Sequence, residues 1–312
     1  MTAIDFRLRA SLGNLELPNT VNEIIFEEFS ILECPNKAYP VEIHDEDGEV
    51  RDVDWEYPAK PDYRYPVCDY YLEAVVKGER GNSWIPAEAF LTWALTRLRL
   101  YKAGHLWGTL FNVIDSTEPG GIVGFKDMHE ADKRRHNQPP SRGIFTRDRE
   151  FSIVEGDIEP LKRFVNGLAT VPATNLGIAI RRFNQVFDRD VLEDRAVDLF
   201  IALESLLSEN ADAIRYKIAL RASHLITANV EEQVSINSFL KKAYDCRSGI
   251  MHGADRDVEW LTARNGEGIS NLDYLEDIVR RILRHVSERA MQGQILNSGN
   301  LDEVLFFQDH EG

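Results

Sequence analysis

The first half of the chain alternates short apolar stretches with longer polar ones, a pattern typical of strands joined by loops. Three stretches predict strands: FRLRASLGNLEL (6–17), DYYLEAVV (69–76) and WGTLFNVI (107–114). Residues 85–104 predict a helix, because Pro86 suits a first helical turn and Gly104 suits a C-terminal cap. We therefore expect residues 1–165 to form a mixed α/β domain.

From about residue 170 the apolar positions recur every three or four residues, which predicts amphipathic helices. Five helices are expected, within residues 174–187, 190–210, 211–228, 235–253 and 271–291. The second is apolar nearly all round between Val197 and Leu207, which predicts a central buried helix. Asn271 suits the N-cap of the last helix. Five helices with short connections are typical of a bundle.

The expected architecture is therefore α+β. A mixed α/β domain (1–165) precedes an all-α helical bundle (170–292). Residues 293–312 are expected to form a loosely held or docked tail. A length of 312 residues is consistent with two domains.

Composition limits the possible functions. The net charge of −16 repels nucleic acid overall, so any contact with RNA must come from a local basic patch. No apolar run is long enough to predict a membrane span, and the N-terminal MTAIDFRLRASLG resembles neither a signal nor a transit peptide. Three cysteines without CxxC spacing, Cys34, Cys68 and Cys246, indicate buried thiols in a reducing cytoplasm and disfavour zinc.

Two polar segments are expected to be loops. Residues 44–66 are acidic and then proline-rich, whereas residues 124–150 are the most basic part of the chain. The basic segment is either a surface loop or an arm that contacts phosphates, with these candidate RNA contacts: Arg134, Arg135 and Arg142. Its HEADKRRH stretch also places His129, Asp132 and His136 at helical spacing. That stretch is either a polar loop or, less favoured, a metal site.

An arginine followed four to six residues later by a histidine occurs three times: Arg99–His105, Arg247–His252 and Arg280–His285. The spacing alone does not distinguish the three pairs. The first pair flanks the end of helix 85–104 and suggests a structural role. The third lies mid-helix, where the charges suggest a solvated face.

The second pair has a different setting. Arg247 follows an apolar helical stretch, and Gly249 and Gly253 allow the backbone to turn and expose both side chains. Glu204 lies within VDLFIALESLL, where an unpaired buried carboxylate is costly. Either Arg247 or Arg221 is expected to be its partner.

Two stretches together resemble the HEPN domain, in particular its Apea-like subgroup. They are DRAVDLFIALESLL (194–207) and FLKKAYDCRSGIMHG (239–253), separated by IRYKIALRASHLI, and the resemblance covers about residues 175–290. It implies a helical bundle that pairs as a homodimer and brings two Arg-x4–6-His motifs into a shared cleft. Many members are metal-independent endoribonucleases in anti-phage defence, including abortive infection, or in toxin-type stress responses.

The resemblance implies that Arg247 and His252 are a catalytic pair that needs no cofactor. Histidine exchanges protons near neutral pH, and arginine presents a charged planar fork to phosphate. Glu204 is expected to orient Arg247, and Tyr244 either lines the cleft or packs. Ser248 departs from the family pattern, in which an amide or carboxylate often follows the arginine.

Three functions follow from these patterns. The first is a dimeric endoribonuclease whose N-terminal domain recognises RNA or a phage or cellular trigger. The second is a non-catalytic HEPN sensor that dimerises and binds a nucleotide or partner protein. The third is a metal-dependent hydrolase built on the HEADKRRH stretch, and it is the least favoured.

Overall fold

The fold was analysed on a computed structural model. It describes residues 4–34, 39–44, 50–56, 69–78, 84–115, 149–171, 175–189, 191–208, 213–251, 255–266 and 268–306. Internal contacts divide the chain into two compact units: unit 1 is residues 1–99 with 104–166, and unit 2 is residues 100–103 with 167–312. Unit 1 contains the β-sheets and unit 2 is helical, which confirms the α+β prediction. None of the helices in the described ranges is long and apolar enough to cross a membrane.

Unit 1 is built on a five-stranded antiparallel sheet with the strand order β3-β4-β7-β1-β8. Its strands are β1 (Ile4–Gly13), β3 (Glu23–Ile25), β4 (Phe29–Glu33), β7 (Tyr70–Gly78) and β8 (Trp107–Asp115). A two-residue parallel pair joins β2 (Leu15–Glu16) to β9 (Phe151–Ser152). Two helices complete the unit, α1 (Trp84–Tyr101) and α2 (Glu155–Gly167).

Strand alternation determines which face of this sheet is buried. In β1, Phe6 and Leu8 are fully buried while Arg7 between them is exposed, as expected for a strand with one solvated face. Helix α1 covers the buried face: a Cβ added at Gly108 of β8 would touch Leu91 of this helix at 3.2 Å. The predicted strands and the predicted helix are therefore confirmed.

The prediction of a loop over residues 44–66 is wrong in part. Strand β5 (Tyr39–His44) pairs antiparallel with β6 (Val50–Glu56), which lies inside that segment. The acidic residues suggested a loop, but β6 also contains Val53 and Trp55 at the alternate spacing that favours a strand. Backbone hydrogen bonds between two strands do not depend on the charge of the side chains.

Unit 2 consists of packed helices with short connections. They are α3 (Asn175–Gln185), α4 (Leu192–Leu207), α5 (Ile214–Ile226), α6 (Val230–Met251), α7 (Asp255–Thr262), α8 (Asn271–Met291) and α9 (Leu301–Phe306). Helix α4 contacts α3, α5, α6, α7 and α8. The prediction of a central buried helix is confirmed, since Leu199, Phe200 and Leu203 are almost completely buried.

Two details of unit 2 differ from the sequence-based expectation. Helix α7 was not predicted, because its eight residues give little periodicity. The N-cap of α8 is Ser270 and not Asn271: the Ser270 hydroxyl accepts a hydrogen bond from the backbone N–H of Asp273. Asn271 is instead held inward, where its side-chain amide donates to the Trp260 carbonyl at 2.8 Å.

The tail is docked as far as residue 306. Arg221 of α5 donates two hydrogen bonds of 2.7 Å to the carboxylate of Asp302 in α9, and a third to the Leu207 carbonyl. The bonds from Arg221 lower the pKa of the Asp302 carboxyl. This bidentate pair fixes α9 against the end of α4 and the side of α5.

Candidate functional site

Helices α4 and α6 bring Glu204 and Arg247 together. The nearest oxygen of Glu204 lies 3.7 Å from Nη2 of Arg247, which is an ion pair but is too long for a hydrogen bond. Arg221, the alternative partner, is instead bound to Asp302. Glu204 was expected to be buried, but the structure leaves it and Arg247 each 24% exposed. An ion pair with this exposure stabilises the fold by less than about 1 kcal/mol.

Tyr244 completes this group on α6, one turn before Arg247. Its ring packs edge-on against Phe200 of α4, with centroids 5.4 Å apart, and its phenol lies close to the negative charge of Glu204. Burial raises the pKa of Tyr244, and the negative charge of Glu204 raises it further. The phenol is therefore protonated, with the carboxylate of Glu204 as a neighbouring acceptor. Tyr244 both packs and lines the site, so the two interpretations of this residue are compatible.

The guanidinium of Arg247 retains donors for a ligand. Its Nε is buried and has no hydrogen-bond acceptor among the residues that the structure describes. Its Cζ lies 5.7 Å from the centre of the Tyr244 ring, which restricts the orientation of the fork. A buried N–H without an acceptor is costly in the free protein, whereas the part of the Arg247 side chain that is exposed can meet an anion.

The other predicted residues of this region are placed as follows. Ser248 is exposed on the last turns of α6, next to Arg247. His252 directly follows Met251, the last residue of α6, and lies outside the described residues. Cys246 and Cys34 are both buried thiols, in agreement with the interpretation of these two cysteines as packed groups, and Cys68 lies outside the described residues.

The basic segment also lies outside the described residues. The RNA contacts expected at Arg134, Arg135 and Arg142 therefore stay predictions. The same holds for the metal site considered at His129, Asp132 and His136.

Phe200 also belongs to this group, and it was not predicted as a site residue. This residue orients the Tyr244 ring, and it precedes Glu204 by one helical turn on α4. The i, i+4 spacing of an aromatic residue and a carboxylate on the same helix was the available signal.

The pair Arg99–His105 has the structural role that its setting suggested. Arg99 is buried, and its Nε donates to the carbonyl of Leu106 at 2.9 Å. His105 is buried as well.

The expectation of a solvated face at Arg280 and His285 is wrong. Arg280 is only 2% exposed because its guanidinium binds Glu276, one turn earlier on α8, and also Asp277. His285 is half-buried, and its Nε2 accepts a hydrogen bond of 3.0 Å from Arg289. The burial of Arg280 and His285 was not predicted because both lie beside the apolar stripe of α8. A charged residue in that position can turn inward to a buried partner.

The half-buried His285 predicts a pH dependence of stability. Burial, and then the positive charge of Arg289, lower its pKa below the usual value of about 6.5. Above that value the imidazole is neutral in both the folded and unfolded states. Below it the unfolded chain takes up the proton first, so the free energy of unfolding is expected to fall as the pH drops toward the lowered pKa. Urea titrations between pH 7.5 and 5 check this.

The matched variant for that titration is His285→Gln, which keeps a polar side chain without the titration. Its free energy of unfolding is expected to vary less steeply with pH than that of the wild type. Identical slopes for the two proteins would exclude His285 as the source of the pH dependence.

The group on α4 and α6 therefore has a defined chemical capacity. It offers a fixed cationic fork with an unpaired donor beside an aromatic ring, which suits a phosphate attached to a base or sugar. No protein-family model, no curated protein and no solved structure was found to match the chain.

Proposed function

We propose that the chain is a cytoplasmic, metal-independent endoribonuclease that acts as a homodimer, with Arg247 and His252 as its catalytic pair. The observation that supports this most is the state of Arg247: Glu204 and Tyr244 hold its guanidinium while Nε is left without an acceptor in the described structure. The HEPN-like sequence around the pair supports the same function.

The proposed chemistry needs one base, one acid and one cation. The imidazole of one His252 takes the proton from a ribose 2′-hydroxyl, whose oxygen then attacks the adjacent phosphorus. The bond from phosphorus to the 5′-oxygen breaks, and that oxygen receives a proton from an imidazolium, either the same group or His252 of the second copy. The products are a 2′,3′-cyclic phosphate and a 5′-hydroxyl. Arg247 stabilises the charge that develops on the phosphoryl oxygens.

The surrounding residues have positioning roles in this proposal. Glu204 orients the fork of Arg247, and the protonated Tyr244 orients Glu204. Ser248 is exposed beside the arginine and donates a hydrogen bond to the substrate backbone. The basic arm with Arg134, Arg135 and Arg142 contacts phosphates farther along the RNA.

The biological role that we propose is anti-phage defence or a toxin-type stress response, with unit 1 responding to a phage or cellular trigger. An overall charge of −16 fits an enzyme that does not bind RNA indiscriminately. The same charge also favours the second candidate function, a non-catalytic sensor that dimerises and binds a nucleotide or a partner protein.

The test is RNA cleavage by the purified full-length chain in excess EDTA. We expect cleavage to continue in the chelator and to leave cyclic phosphate ends. We also expect a substrate with 2′-deoxyribose at the cleaved position to resist, because the attacking hydroxyl is absent. Cleavage that requires a divalent ion would favour the hydrolase built on the HEADKRRH stretch. No cleavage above background would favour the sensor.

A further inference from the structure

Strand β7 of unit 1 extends past its neighbour β4. The ladder between them ends at Phe29 opposite Ala74, whereas Val75–Gly78 continue to pair with β1 on their other side. On the β4 side of Val75–Gly78 no strand is found among the described residues. Backbone groups of a strand point alternately to its two sides, so two of these four residues direct an N–H and a C=O to this open edge.

An apolar groove of about 950 Å³ adjoins the open edge. Its helix side is lined by Phe26, Phe29, Phe90 and Trp93. Phe29 meets the Phe90 and Trp93 rings edge-on at 6.2 and 6.1 Å, so the four rings form one cluster. Such a groove beside a free strand edge offers pockets for the alternate side chains of an added strand.

Two cations from the other face of the sheet also line this groove. Arg7 lies directly across from Val75, and Lys77 follows on the same face two residues later. Both are exposed, and no ion pair joins either one to another residue that the structure describes, although Asp5 lies opposite Lys77 in the ladder. The next cation along β1 is already neutralised: Arg9 is bound to Glu73 at 2.7 Å.

Two of the three acidic residues that line the groove, Glu27 and Glu28, lie at the β3–β4 turn; the third, Glu73, is the one bound to Arg9. Glu28 is 3.6 Å from Arg97, which itself stacks on Trp93. Glu27 is exposed at the same turn, where its backbone N–H is bound by Asn166. The cations therefore lie beside the free strand edge, and the uncompensated Glu27 lies at the turn.

We propose that this edge binds an extended segment of a protein partner in which apolar and acidic side chains alternate. The segment adds as a strand beside Val75–Gly78. Its apolar side chains enter the aromatic groove on the helix side, and its acidic side chains meet Arg7 and Lys77 on the other face. The proposal is independent of the nuclease chemistry, since it concerns binding to unit 1 alone.

The open edge and its groove fit RNA, or a second copy of the chain, less well than they fit such a peptide segment. A nucleic-acid strand lacks the alternating N–H and C=O groups that would pair with the open edge of β7, although the rings and the cations both line the groove. A second copy paired edge to edge would bring two sets of Arg7 and Lys77 together, and like charges at such short range are destabilising.

The test uses the full-length protein and a short fluorescent peptide of alternating valine and glutamate. We expect saturable binding by anisotropy, and at least about tenfold weaker binding of the peptide with lysine in place of glutamate. The double variant Arg7→Glu/Lys77→Glu is expected to reverse this preference. Both positions are exposed, so the fold is retained, and circular dichroism verifies it. The control is Arg163→Glu, at an exposed cation of α2 outside the groove, and should leave binding unchanged.

Hydrogen exchange localises the site. Amide exchange within Val75–Gly78 is expected to slow when the glutamate peptide is bound. The proposal is overturned if this peptide does not bind at millimolar concentration, if charge reversal leaves the preference intact, or if binding leaves exchange in β7 unchanged. It is also overturned if an RNA oligonucleotide displaces the peptide from this edge, or if the chain self-associates through it.

Discussion

Replacing Arg247 with alanine is expected to lower the rate of RNA cleavage by about 10²–10³-fold, the usual effect of removing one donor to a developing oxyanion. The loss should appear in kcat more than in KM, because in the proposed mechanism the fork binds the transition state more strongly than the ground state. Stability should change little, since the ion pair with Glu204 is partly exposed and long. Single-turnover cleavage together with urea unfolding measures both effects.

Two further variants make this prediction specific. Arg247→Lys keeps the charge but loses the planar fork, so its rate should lie between those of the alanine variant and the wild type. The matched control is Arg215→Ala, at an exposed arginine of α5 that pairs with Asp245 of α6 at 2.6 Å. The rate of RNA cleavage by Arg215→Ala should equal that of the wild type. An equal loss in both alanine variants would indicate general damage to the helices.

Replacing Glu276 with glutamine is expected to lower the free energy of unfolding by about 3–5 kcal/mol, the usual cost of removing one partner of a buried ion pair. Glu276 is 0% exposed and lies between Arg195 and Arg280, which are 5% and 2% exposed. Its carboxylate binds both guanidinium groups. Without its charge, two arginines remain buried on α4 and α8 with too little negative charge to compensate them.

The control for this prediction lies on the same helix. Glu288 pairs with Arg284 at i, i+4, as Glu276 does with Arg280, but both side chains of the Glu288 pair are substantially exposed. Glu288→Gln should therefore cost less than about 1 kcal/mol. Equilibrium urea unfolding of both variants provides the comparison. A cost below about 1 kcal/mol at Glu276 would show that the buried cluster contributes little.

Much of the fold follows from apolar periodicity. The alternation from Phe6 to Leu12 predicted β1, and the stripe over residues 271–291 predicted α8 with the bounds that the structure has. Both elements have one buried face and one solvated face, so the spacing of their apolar residues indicates the type of element. The hairpin β5–β6 was missed because acidic side chains dominate its sequence.

The buried charges were the least predictable feature. Arg221 and Asp302 are 81 residues apart, as are Arg195 and Glu276, so no local spacing marks them as partners. The same limit applies to the candidate site. The sequence predicted Arg247 as one of two possible partners of Glu204. The exposure of the Glu204 carboxylate could not be predicted, because it depends on how α4 and α6 pack.

The central claim is that Arg247 and His252 act as one catalytic site. Its most direct test is the rate of RNA cleavage in EDTA by Arg247→Ala, His252→Ala and the double variant. Residues that act as a unit are not additive, so the double variant should cleave no more slowly than the slower single variant. Losses that multiply in the double variant, or a wild-type rate in either single variant, would contradict the claim.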